Sequence, residues 1–239
     1  MIIFLIIGFC FLLIICCWGF IRQNSSKIEG VNGINGIPTY VNASEHENQN
    51  VRHLHRLIKL HHQEILNEIN NIELSKSTAL DDEVLLMNHE QQWCPLWLRY
   101  CGQDTAYLEK SPLLLKIIKS IPNIESCYIS IMPGGTTISN KTNPFPNLHK
   151  YQYMLAGSDN DLGLNIDGFN TTWRLNEGFV WDDTKPYSVW NDSFQKRIVF
   201  CAGLKKSHHT LLDIINSVYY EFMKLVTRDD NLQKIINII

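Results

Sequence analysis

Five short segments, CYISIM (127–132), YQYMLAG (151–157), LGLNID (162–167), GFVW (178–181) and KRIVFCAG (196–203), most constrain what this chain can fold into. Each is rich in β-branched and aromatic residues, and each is set off by clusters of Gly, Asn, Asp and Pro, the residues that turn a chain. No helical period lies between them. Several short strands so closely spaced argue for an antiparallel barrel or sandwich.

Helices flank this β region. Val51, Leu54, Ile58, Ile65 and Ile69 recur at helical spacing, which predicts an amphipathic helix from Val51 to about Ile72. SPLLLKIIKSIP predicts a second, with Ser111 and Pro112 as its start signal and Pro122 just past its end. Helical spacing returns from about Ser207, with Leu211, Leu212, Ile215, Val218, Tyr219 and Phe222 on one face, and DDNLQKIINII closes the chain. The first helix carries His53, His55, His61 and His62, but no H-E-x-x-H spacing, so they read as partly solvated helix positions rather than metal ligands. At 239 residues and 45% hydrophobic, the chain can bury one good core. A net charge of -3 supplies no basic field for nucleic acid, which is excluded as a partner class.

The N-terminus differs from all of this. Met1 to Ile21 is apolar, with no charge before Arg22. Roughly 20 apolar residues at about 1.5 Å each match the bilayer's hydrocarbon core, so the run reads as an uncleaved membrane-spanning anchor. A signal peptide would show a basic start and a small-residue cleavage site, and neither is present. The expected organisation is an anchor (1–21), a polar, Gly/Asn-rich tether (22–50), a helical lead-in (51–92), a β domain (93–204) and C-terminal helices (205–239). Arg22 and Lys27 argue for a cytoplasmic domain by the positive-inside rule, whereas acceptor patterns at Asn24, Asn42, Asn140, Asn170 and Asn191 would matter in a secretory lumen. The side of the membrane stays open. Cys10, Cys16 and Cys17 belong to the anchor; Cys94, Cys101, Cys127 and Cys201 lie beyond it without C-x-x-C pairing, which argues against zinc and leaves buried free thiols as the reading.

The order of four motifs adds a resemblance. WCPLWLRYCG, from Trp93, is similar to a W-x-x-x-x-L-x-x-x-G opening; SIMPGGTTI resembles a strand followed by P-G-T-x-I; TNPFPN falls where a Gly-Pro-Thr-Asn turn belongs; and WDDTKPYSVWND matches F-D-D-S-x-x-H-x-V-W-N, with an arginine following in register. Together they resemble the aspartyl/asparaginyl β-hydroxylase family, whose catalytic domains are double-stranded β-helix oxygenases using Fe(II) and 2-oxoglutarate. The resemblance implies a mainly β core, a double-stranded β-helix or cupin-like jelly roll, with flanking helices and the N-terminal transmembrane helix ahead of it.

The resemblance also assigns positions. Arg197 falls on the arginine that pairs with the distal carboxylate of 2-oxoglutarate, a planar fork suited to a carboxylate, and Ser130 and Met132 fall on positions lining the keto-acid pocket. The iron ligands are missing. The first histidine position falls on Lys141, or on Asn140 if the loop is one residue shorter, and the second falls on Tyr187. A further basic residue near the keto-acid falls about Tyr151 and a nearby histidine about Tyr153. His149, Asp182 and Asp183 are the residues from which a centre could be rebuilt, although the Asp pair reads as a turn-former. Trp181 and Trp190 read as core anchors. No metal and no cofactor is expected unless the centre is rebuilt, in which case Fe(II) and 2-oxoglutarate enter.

Three functions follow as expectations. One is a membrane-anchored pseudoenzyme whose pocket holds a small carboxylate or a peptide. Another is an active 2-oxoglutarate-dependent dioxygenase hydroxylating Asp or Asn side chains of proteins through a rearranged site. The third is a membrane or envelope interaction protein that uses the fold as scaffold.

Overall fold

The computed structural model describes residues 40–79, 94–143, 148–159, 161–206 and Val218. The apolar run at 1–21, most of the tether and, apart from Lys205, Lys206 and Val218, the segment predicted as C-terminal helices lie outside the described residues. Among the described residues no helix is long and apolar enough to cross a membrane.

Eleven strands and four helices make up the described chain. A short strand, β1 (Tyr40–Asn42), leads into helices α1 (Gln49–Leu60) and α2 (His62–Ala79). Strands β2 (Cys94–Tyr100) and β3 (Gln103–Asp104) precede helices α3 (Ala106–Glu109) and α4 (Pro112–Ser120). The β region follows: β4 (Ile124–Met132), β5 (Thr136–Lys141), β6 (Leu148–Ala156), β7 (Leu162–Ile166), β8 (Phe169–Thr171), β9 (Gly178–Trp181), β10 (Tyr187–Asn191) and β11 (Arg197–Lys205).

These strands form two antiparallel sheets, one of order β1-β9-β6-β11-β4-β2-β3 and one of order β5-β10-β7-β8. From β4 to β7 each successive strand belongs to the other sheet, and from β9 to β11 it does so again. Such winding is a double-stranded β-helix: the strand spacing predicts an antiparallel barrel or sandwich, and the resemblance implies this cupin-like jelly roll. Pro95 lies opposite Ser130 of β4, and it is tolerated in β2 because on the other side β3 pairs only with Arg99 and Tyr100, leaving that edge unpaired at Pro95 among the described residues.

The larger sheet is covered on its outer face by the helices. Val51, Leu54 and Ile58 of α1, Ile65, Ile69 and Ile72 of α2, and Leu114, Ile117 and Ile118 of α4 pack with Leu96, Leu98, Ile129, Phe200 and Leu204. The single helix predicted over Val51–Ile72 is two: the chain departs from helical geometry at His61 (φ -105°, ψ 23°), and both apolar stripes still reach the sheet. Asn48 caps α1 by accepting from the Asn50 amide, whereas α4 borrows its cap. The Glu68 carboxylate of α2 accepts from the Leu113 and Leu114 amides at 2.8 and 3.1 Å, binding the two helices together where α4 has free N–H groups.

Two glycines allow close approach. A Cβ on Gly134 would lie 2.3 Å from the Ser193 carbonyl oxygen, and one on Gly163 would lie 1.8 Å from the Trp190 ring. The first contact belongs to a clamp: buried Asn191 donates to the carbonyls of Met132, Pro133 and Gln195, and Ser193 Oγ donates back to Asn191 Oδ1. The P-G-G turn and the V-W-N-D stretch, distant in sequence, are thereby locked together immediately before Arg197. Asn191 is fully buried, so its acceptor pattern is closed to a glycan.

Candidate functional site

Strand alternation puts every second residue of β11 inside the barrel. Ile198, Phe200, Ala202 and Leu204 face the helices; Arg197, Val199 and Cys201 face inward. On the neighbouring β4 the inward set includes Tyr128, Ser130 and Met132, and Arg197 is the cross-strand partner of Met132. The structure therefore brings together the three residues that sequence comparison assigned to the keto-acid pocket. Arg197 is 3% exposed, its guanidinium lies 4.3 Å over the Trp173 ring, and Nη2 donates to Ser130 Oγ at a long 3.4 Å.

Among the described residues Arg197 has no anionic partner. Its Nε and Nη1 are buried with no hydrogen-bond partner, and burial pulls its pKa down to about 10, which still leaves it charged at neutral pH. Leaving a buried charge uncompensated costs about 3–5 kcal/mol. A chain that keeps such a group has a use for it.

The expected metal positions also come together. Strand β10 pairs with β5 so that Val189 faces Ile138, but a bulge intervenes and Tyr187 then faces Lys141 rather than Asn140. Directly opposite residues share a sheet face, and Tyr187 packs on the interior cluster through Trp181 at 4.8 Å. Lys141 and Tyr187, which the resemblance sets at the metal's positions, thus lie opposite each other, but their chemistry does not fit Fe(II). A protonated lysine has no lone pair to offer. Burial holds the Tyr187 phenol well above its ordinary pKa, so phenolate ligation is disfavoured. Among the described residues no group of three His, Cys, Asp or Glu side chains could hold a metal ion.

Strand β6 requires a correction. Tyr151 and Tyr153, the residues matched to the family's basic residue and histidine near the keto-acid, point the other way, into the core under the helices. Tyr151 meets His55 Nδ1 at 3.3 Å, and Tyr153 takes His55 and His62 edge-on. The inward residues are their neighbours Lys150 and Gln152, a shift of one position that reverses every side chain on a strand. Lys150 Nζ lies 4.7 Å over the Tyr128 ring and 3.5 Å from Asp183 Oδ2; Gln152 Oε1 accepts from Trp173 Nε1 at 3.2 Å.

Asp183 is the functional-site residue that sequence reasoning misplaced. Asp182 does form the expected turn, accepting from the Thr184 amide and hydroxyl. Asp183 instead turns inward, 1% exposed, accepting from Asn143 Nδ2 at 2.8 Å and facing Lys150, with Oδ1 left without a partner. Burial raises its pKa, and Lys150 and Asn143 partly restore it. Burial alone would lower Lys150, but Asp183, Cys201 and Tyr187 more than offset it.

Other assignments sort by face. Trp181 is an interior anchor, as expected, while Trp190 lies over Gly163 and is only half-buried. His149 stacks edge-on against His46 at 4.7 Å rather than joining Lys141 and Tyr187. His55 is buried rather than solvated, and His62 keeps a buried, unpartnered Nδ1. Cys101, Cys127 and Cys201 are buried free thiols.

Two sheets wound strand by strand, with an arginine opening the last strand toward the interior, define a cupin-like β core. More specifically, residues 59–206, over half of the sequence, match the model for the aspartyl/asparaginyl beta-hydroxylase family, and the chain belongs to that family. No curated protein matches. Similar solved structures include a cupin domain of an XRE-family transcriptional regulator from Enterobacter cloacae (16% identity, 34% of this chain and 82% of that one, TM-score 0.30). Another is the salicylate 1,2-dioxygenase of Pseudoaminobacter salicylatoxidans (12%, 57% and 34%, TM-score 0.38). A third is the plu4264 protein of Photorhabdus luminescens (9%, 60% and 92%, TM-score 0.35). Likenesses this distant carry no argument about function.

Proposed function

We propose that this chain is a degenerate member of its family, a pseudoenzyme that has lost the iron centre and kept a carboxylate-binding pocket on Arg197. The observation that carries the reading is the contrast between two ends of one interior: Lys141 and Tyr187 where ligands to Fe(II) belong, and a buried guanidinium with two unpartnered donors where a carboxylate belongs. Ser130 and Met132 line the same end, and Trp173 fixes the plane of the guanidinium. The apolar composition of 1–21 supports a membrane anchor ahead of the domain. A rearranged dioxygenase centre is the second reading, favoured by the inward Asp183 carboxylate; its engagement with Lys150 and Asn143 weighs against it.

The test is anaerobic titration of the full chain with Fe(II) and 2-oxoglutarate, followed by an aerobic assay for succinate release. The pseudoenzyme reading expects neither stoichiometric metal binding nor succinate. One equivalent of iron bound together with 2-oxoglutarate turnover would overturn it.

A further inference from the structure

The first strand of the larger sheet is held by little. Strand β1 pairs with β9 alone among the described residues, Tyr40 opposite Trp181, Val41 opposite Val180 and Asn42 opposite Phe179, and the Ala43 amide adds one bond to the Gly178 carbonyl at 3.0 Å. Only Ala43 is wholly buried there; Val41 is 40% exposed, and Tyr40 rests half-buried and edge-on against Phe179 at 5.8 Å. The chain then passes His46 into α1, whose Val51, Leu54 and Ile58 are by contrast fully buried.

His46 pins this segment, and it does so as a neutral ring. It is 6% exposed, and its Nδ1 accepts from the Asn48 amide at 3.1 Å, so the ring proton sits on Nε2. A second proton has to enter between Nδ1 and an amide that can only donate. The neighbours oppose it as well: His149 of β6 meets the ring edge-on at 4.7 Å, Arg52 of α1 donates to the His46 and Glu47 carbonyls, and Lys206 just past β11 adds a further cation. Lys205, at the end of β11, is paired with Glu125 at 2.8 Å, which leaves Glu47 as the anion that acts on His46. Burial above all, then Arg52 and Lys206, hold the His46 pKa below its ordinary 6.5 against Glu47. The neutral contact therefore contributes fully above pH 6.5 and is lost as pH falls through the folded value.

We infer that residues 40–48 form an acid-released strap: protonation of His46 frees β1 from β9 while the helices and the barrel stay folded. So small an apolar hold gives a low opening free energy, at which a tenfold change moves the strap from mostly closed to largely open. Release uncovers Phe179 on the interior cluster and leaves the Gly178–Trp181 edge of β9 unpaired, open to another strand. The strap also leads back toward the apolar run at 1–21, so release lengthens the tether, by roughly 30 Å for 40–48 fully extended. That last consequence, unlike the release itself, rests on the anchor reading.

Hydrogen exchange of the full chain at pH 7.5 and 5.5, corrected for the intrinsic pH dependence of exchange, tests it. Protection of the amides in 40–48, Ala43 and Asn48 among them, is expected to fall several-fold more than that of β4 and β11, up to about tenfold, the most that one group of ordinary pKa near 6.5 supplies over this range. His46→Asn places an amide oxygen where Nδ1 accepts and cannot titrate, so its strap is expected to keep its protection at both pH values. Unchanged protection of 40–48 in the unaltered chain overturns the inference. A fall shared equally by β4 and β11 overturns it too, since the whole fold and not the strap would then be opening. A His46→Asn chain that keeps the full pH dependence, or whose strap exchanges freely at both pH values, removes His46 as the pin and overturns it as well.

Discussion

One strand, β11, divides the molecule into two unlike interiors. Its outward residues Ile198, Phe200, Ala202 and Leu204 enter an apolar core closed by α1, α2 and α4. Its inward residues begin with Arg197 and share their space with Tyr128, Lys150, Asp183 and Gln152. The outer core does what hydrophobic burial does, removing area from water at about 25 cal/mol per Å². Both retain orphaned polar atoms, but those of the outer core lie on a phenol and an imidazole, Tyr153 and His62, whereas the inner one leaves unpartnered atoms on an arginine and an aspartate, Arg197 and Asp183, a burden that stability alone does not explain. Folding strength is concentrated on one face of the sheet and ligand chemistry on the other.

Substitutions sharpen that division. The largest effect is expected for Phe200→Ala on the outer face: the ring is fully buried against Tyr151, and its loss should cost about 3–5 kcal/mol in denaturant unfolding. Next comes the inner face's ion pair. Lys150→Met strands Asp183 beside Asn143 alone and should cost about 3 kcal/mol, while the double variant Lys150→Met/Asp183→Leu should recover most of it. If the double variant is no better than the single, the pair is not an isolated unit and the division between the faces blurs.

A smaller effect belongs to the borrowed cap: Glu68→Ala should cost about 1 kcal/mol and leave carboxylate binding unchanged, since it frees the first amides of α4 far from Arg197. The smallest is a pH dependence. Burial lowers the pKa of His46, His55 and His62, with Arg52 and Lys206 adding to the effect at His46 and Lys59 at His55, while Glu47 opposes it at His46. Groups depressed in the folded state bind fewer protons there than in the unfolded chain. Their stabilising contribution is therefore complete above the unfolded value near 6.5 and is lost as pH falls through the folded values. Melting temperature should fall between pH 7.5 and 5.5, and less steeply in His55→Gln; a flat profile in the unaltered chain would remove this role.

The outer face was the more legible of the two in the sequence. Stripes such as Val51, Leu54 and Ile58, the Ser111-Pro112 start of α4 and the β-branched runs of β4 and β11 announce their elements, because a face packed against one apolar neighbour leaves a clear period. The inner face left a fainter signal. Strand β6 is buried on both sides, so the polar/aromatic alternation of KYQY separates two sets of residues without saying which set faces the barrel, and nothing local says that it is Lys150 and Gln152 rather than Tyr151 and Tyr153. The bulge that sets Lys141 opposite Tyr187 depends on pairing between strands 40 and more residues apart. Asp183 is hidden for a related reason: in a D-D-T-K turn both carboxylates look like turn-formers, and only Lys150, arriving from another strand, distinguishes the second. Arg197, Ser130 and Met132, which lie side by side on β11 and β4, were singled out by a motif and not by a period.

The central claim, that the inner face holds charge for a ligand and not for the fold, is tested most directly by the unfolding free energy of Arg197→Met against the unaltered chain, both free of ligand. Because the guanidinium has no anion partner among the described residues, its replacement by a side chain of similar length is predicted to leave stability unchanged or raise it by about 1–3 kcal/mol. A loss of more than about 2 kcal/mol would contradict the claim and make Arg197 a structural residue of the barrel.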